Sequence, residues 1–141
     1  MSIRKISPYL NFDGNGEQAM KFYESVLGAK LEHLSRMGDV PDSKASPEDK
    51  SRLMHALLRF ENGDAIMASD TMKGEAFSVG NNVHVTLDFT DIDEMAKRFE
   101  ALAAGGKVNM PLNDTFWGAR FGMLVDKFGI HWMFNCELKK G

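Results

Sequence analysis

The chain contains itself twice. With no gaps and an offset of 77 residues, Ser7 to Leu31 lies on His84 to Val108. Leu10 then meets Leu87, Phe12 meets Phe89, Glu17 meets Glu94, Ala19 meets Ala96, Phe22 meets Phe99, Gly28 meets Gly105 and Lys30 meets Lys107. Each copy opens with an alternating strand, continues into an amphipathic helix and ends at a glycine before a second strand. One module used twice constrains the fold more than any composition does. It also identifies which residues occupy equivalent places.

The pattern around the repeat predicts a strand over residues 4–12, with Ile6, Pro8, Leu10 and Phe12 on one face. A helix over Glu17–Leu27 follows, closed by Gly28 as the residue that ends it. Strands are expected near Lys30–Met37, Leu53–Glu61 and Ala65–Ser69, with a charged surface excursion at 38–52 and a hairpin turn at Glu61–Asp64. The second half repeats the order: strand Val83–Phe89, helix Asp91–Ala104 with Asp91 as N-cap, a short strand near Lys107–Met110, an aromatic loop PLNDTFWG, and a hairpin of Phe121–Val125 with Ile130–Asn135. The expected class is α+β: two βαβββ modules forming a curled mixed sheet, a cup or half-barrel, with helices outside. We read 1–141 as a single domain of two pseudo-symmetric modules, about 1–70 and 82–141, joined by 71–81.

Alternation also predicts what the sheets expose. In the first strands the apolar set packs under the helix, and the opposite set reads Ser7, Tyr9, Asn11 and, equivalently, His84, Thr86, Asp88. The last strand carries Trp132 and Phe134 on one face and His131, Met133 and Asn135 on the other, so both its faces should be covered. Curled sheets lined mainly by apolar side chains with a few polar groups form a small-molecule site.

Composition excludes several classes. A net charge of -3 gives no basic footprint for nucleic acid. No apolar run reaches the roughly 20 residues of a membrane span, and the first residues lack a signal-peptide core, so a cytoplasmic protein is expected. Cys136 reads as a small buried hydrophobe rather than a nucleophile.

The helix segment AMKFYESVLGAK, the closing VDKFGIHWMFN and the paired βαβββ modules together resemble the vicinal oxygen chelate superfamily, which includes glyoxalase I, extradiol dioxygenases and bleomycin resistance proteins. YLNFDGNGEQAMKFYESVLGA with PLNDTFWGARFGMLVDKFGIHWMFNC looks like its PhnB-like branch, often labelled 3-demethylubiquinone 3-methyltransferase. The resemblance implies a divalent metal held from the first and last strands of each module. Carried onto this chain, those places fall on Ser7, His84, Met67 and Met133, and only His84 is a good ligand. No resident metal is therefore expected. A nonstandard site of His84, His131 and a carboxylate, Asp88 or Asp70, is the alternative. Methyl transfer is disfavoured because the chain lacks the alternating α/β sheet and glycine-rich strand-to-helix loop that S-adenosylmethionine enzymes of the usual kind need.

Two functions follow as expectations. One is a binding module without metal or other cofactor, whose cup of Tyr9, Asn11, His84, Asp88, Trp117, Arg120 and His131, with Trp132 nearby, captures a small organic molecule. In it Trp117 and Arg120 would hold a planar or anionic ligand by stacking and paired hydrogen bonds. The other is a metal-dependent lyase, isomerase or dioxygenase. The resemblance also implies a homodimer, since edge strands in such folds commonly pair.

Overall fold

The computed structural model describes residues 1–139. The chain divides into two compact units, 1–78 and 79–141, and the division falls inside the polar stretch 71–81.

The first unit runs β1 (Tyr9–Phe12), α1 (Gly16–Leu27), β2 (Lys30–Arg36), β3 (Leu53–Arg59) and β4 (Ala65–Asp70). Its sheet has the order β1-β4-β3-β2, with β1 parallel to β4 and the other pairs antiparallel. The second unit runs β5 (Val85–Phe89), α2 (Ile92–Ala103), β6 (Lys107–Asp114), β7 (Ala119–Val125) and β8 (His131–Glu137). Its order, β5-β8-β7-β6, and its parallel β5/β8 pair repeat the first. Both units are βαβββ modules.

The repeat has a physical basis at its matched glycines. Gly28 and Gly105 have φ of 69° and 77°, a left-handed conformation that an L side chain resists; Gly28 caps α1 directly, and Gly105 follows Ala104, the residue that caps α2. α1 buries Ala19, Met20, Tyr23 and Leu27 against its sheet; α2 buries Met95, Phe99 and Leu102. Asp91 caps α2, its carboxylate accepting the Asp93 and Glu94 amides. α1 is started differently. The buried Asp70 accepts the Gly14 and Gly16 amides on Oδ1, both at 2.9 Å, and the Leu53 amide on Oδ2 at 2.7 Å. A carboxylate at the end of β4, the strand beside β1, thus fixes the start of the helix.

Three expectations change. Residues 4–8 are not strand; β1 begins at Tyr9, and Ile6 is exposed. β6 extends to Asp114, through Pro111, which an edge strand accepts because no ladder partner needs the missing amide on its open side. The excursion after β2 holds two 3-10 turns, Met37–Asp39 and Asp49–Ser51.

Candidate functional site

Each sheet has one face under its helix and one open face, and the ladder registers say which residues share them. In the first unit Leu10 pairs with Ala68, which pairs in turn with Ala56, on the buried, helix-bearing side. The open side carries Tyr9 and Asn11 from β1, Met67 and Ser69 from β4, and His55 and Leu57 from β3. In the second unit Trp132, Phe134 and Cys136 are buried on the helix side, where Phe99 of α2 meets Phe134 edge-on at 5.1 Å. The open side carries Thr86 and Asp88 from β5, His131, Met133 and Asn135 from β8, and Phe121, Met123 and Val125 from β7. The last strand is therefore fully covered on one face and half-buried on the other.

The residues expected in the site divide between these faces. His84 and His131 meet edge to face with ring centres 5.2 Å apart, and Asn135 donates from Nδ2 to Asp88 Oδ1 at 2.9 Å. Trp117, 57% exposed in the tight turn between β6 and β7, packs edge-on against Phe121 at 6.1 Å and so joins the open face. Arg120 does not join it. It pairs with Cys136 and shares its side of the ladder with Gly122, where an added Cβ would come within 3.0 Å of Phe99 in α2. Its Nε donates to Asp114 Oδ1 at 2.7 Å, which holds the Asp114 carboxyl below the ordinary carboxylate range. The expected Trp117–Arg120 clamp is thus split across two faces, because Arg120 alternates with Phe121 along β7 while Trp117, in the turn before that strand, folds onto Phe121. Trp132 is also withdrawn: it is fully buried, with Nε1 donating to Asp126 Oδ2 at 2.8 Å. Asp70 leaves the candidate ligand set for the same kind of reason, since both its oxygens serve backbone amides.

The ladder bears directly on the metal places that the resemblance implies. Met67 pairs with Tyr9, and Met133 pairs with Thr86, the repeat partner of Tyr9. The two methionines therefore occupy equivalent places on the two open faces. A thioether is a poor ligand for hard divalent cations and for zinc, and the Ser7 hydroxyl is little better. Among the described residues no three of His, Cys, Asp and Glu come together as a metal-holding group, so His84 and His131 gain no carboxylate. Ser7, His84, Met67 and Met133 do not fit the metal that the resemblance implies.

Two further residues stand on the open face of the first unit, on strands whose faces the sequence pattern leaves unassigned. His33 and His55 stand with ring centres 5.3 Å apart, and Tyr9 lies 6.1 Å from His55. Burial, and then the neighbouring His33, lower the His55 pKa from its ordinary value. A β-bulge between Leu31 and His33 puts His33 there: Leu31 pairs with Leu58 but His33 with the adjacent Leu57, so the extra Glu32 turns His33 to the other face.

The sequence family whose model matches residues 5–134 is described as the Glyoxalase/Bleomycin resistance protein/Dioxygenase superfamily. The chain is 33% identical to protein YjdN of Escherichia coli K12 over 92% of its own length and 93% of that protein's. Its fold is similar to the crystal structure of protein PA1353 from Pseudomonas aeruginosa, with a TM-score of 0.87, 39% identity and coverage of 97% of this chain and 100% of that one. It is also similar to a Bacillus cereus structure described as a putative 3-demethylubiquinone-9 3-methyltransferase, PhnB protein, with a TM-score of 0.78, 27% identity and coverage of 94% and 99%.

Proposed function

The chain belongs to the glyoxalase/bleomycin resistance protein/dioxygenase superfamily, and from that membership we propose that it binds a small, partly aromatic organic molecule on its open sheet faces without the divalent metal usual to the superfamily. One observation carries this reading. The open face of the second unit is apolar at its centre, with Phe121, Met123, Val125 and Met133, and is bordered by Trp117 and by the hydrogen-bonding groups of His84, Thr86, Asp88, His131 and Asn135. An apolar floor with a few polar groups around it suits capture of a small molecule. Methionines at the floor adapt to irregular ligand shapes.

The fold also argues against methyl transfer: neither four-stranded mixed sheet is the alternating parallel α/β sheet that S-adenosylmethionine enzymes of the usual kind use. A metal-dependent lyase, isomerase or dioxygenase is the competing reading, and it would rest on His84 and His131 alone.

A thermal-shift screen against planar aromatic acids and alcohols, run in excess EDTA, tests the proposal. A ligand at a hundred times its dissociation constant stabilises the native state by about 2.7 kcal/mol, which for a chain of this size raises the melting temperature by about 5–10 °C. Trp117→Ala and Met133→Lys should abolish the shift produced by any hit. Hits whose shifts survive both changes would place binding elsewhere.

A further inference from the structure

We infer that His33 and His55 form a two-imidazole binding site for a divalent transition cation, zinc being the reference ion, on the open face of the first unit. The site lies on β2 and β3, not on the first and last strands where the superfamily resemblance puts a metal. It does not rest on the reading proposed above.

Three observations carry it. The first is distance. A cation bonded to imidazole nitrogen at about 2.0–2.1 Å sits about 3.2 Å from the ring centre, so two rings on one tetrahedral cation have centres about 5.2 Å apart. The rings of His33 and His55 are 5.3 Å apart, at an interplanar angle of 44°.

The second is the internal comparison that the repeat provides. His33 corresponds to Met110: in both modules the residue follows a bulge, Leu31/His33 in one and Val108/Met110 in the other. His55 corresponds to Phe121, since the pairs Leu57–His33 and Met123–Met110 align the two middle strands. The fold therefore accepts an apolar pair at these places. Two imidazoles there are not required by packing.

The third is the surroundings. The neighbouring open-face residues are Tyr9, Ser35, Leu57 and Met67, and no carboxylate on these strands shares their register rows to pair with the imidazoles. Among the described residues no hydrogen bond ties up either ring. His33 is exposed and His55 half-buried, so an ion has access from solvent. With two protein ligands, water or an oxygen-bearing ligand completes the coordination.

His84 and His131 have the same spacing, 5.2 Å, and must be silenced for the first pair to be read. The experiment is isothermal titration of the untagged full chain, in a His84→Ala background, with zinc chloride in a non-coordinating buffer. One zinc per chain is expected. His33→Met and His55→Phe place at each position the residue its counterpart already holds, so both variants should fold, as a melting curve will verify. Each should weaken zinc binding by about tenfold or more, because loss of a ligand costs no less than loss of its outer support. No zinc uptake by the background protein, or uptake unchanged by either substitution, would overturn the inference. Because no organic ligand enters the titration, its failure would leave the proposed function standing, and the reverse holds too.

Discussion

Asp70→Ala should be the most destabilising single change outside the hydrophobic core. The carboxylate is only 6% exposed and accepts three backbone amides, from Gly14, Gly16 and Leu53. Removing it leaves three donors without their acceptor. A buried unsatisfied donor costs about 1–3 kcal/mol, and bonds to a charged acceptor are worth about 1.5–3 kcal/mol. The Gly14 bond is only partly buried and can recover water, so we set the loss at about 4 kcal/mol. Against a total stability of about 5–15 kcal/mol this is a large share. With a urea slope of about 2 kcal/mol/M, the unfolding midpoint should fall by about 2 M. Asp70→Asn sharpens the test, because its oxygen can serve the glycine amides only if its NH2 group faces the Leu53 N–H. It should recover no more than about half the loss. Asp88→Ala, at an exposed site, should change stability by less than about 0.5 kcal/mol. A midpoint for Asp70→Ala within about 0.5 M of wild type, with unchanged slope, would refute the view that this carboxylate anchors the start of α1.

Other outcomes follow from the same structure. Gly106→Ala places a Cβ 2.2 Å from the Val125 carbonyl oxygen, which backbone must move to relieve; a loss of about 3 kcal/mol in urea unfolding is expected. Trp132→Phe removes the donor to Asp126 Oδ2 in a fully buried place and should cost about 2–3 kcal/mol by the same assay. Acid should weaken the fold partly through His55. Its folded pKa lies below the ordinary 6.5, so the unfolded chain takes up the proton first, and the stability present above 6.5 declines as pH falls through that value toward the folded pKa. Urea midpoints in EDTA at about pH 8 and about pH 5.5 should differ less in His55→Gln than in wild type.

What could be read from the sequence was what the repeat controls. The strand and helix order, the left-handed Gly28 and Gly105, the Asp91 cap and the equivalence of Met67 with Met133 all follow from period and register. What escaped depended on single-residue departures from period. The bulge at Glu32 puts His33 on the open face, opposite to Leu31, and no periodicity in the sequence marks it. Pro111 made a strand read as a loop. Trp117 and Arg120 are three apart and looked like partners, but Trp117 sits in a tight turn and Arg120 on the strand beyond it, so direction is set by the turn and not by spacing. Asp70 was a carboxylate in a polar stretch until its three amides gave it a structural role.

The central claim is that the open faces bind an organic ligand without a metal. Its most direct test is the affinity of the best aromatic hit from the screen, titrated calorimetrically into the wild-type chain in EDTA and again with excess magnesium or manganese, oxygen-preferring cations that two imidazoles hold weakly. The account predicts equal affinity in the two conditions, with Trp117→Ala weakening both alike. Binding that appears only with the cation and is lost in His84→Ala would contradict it.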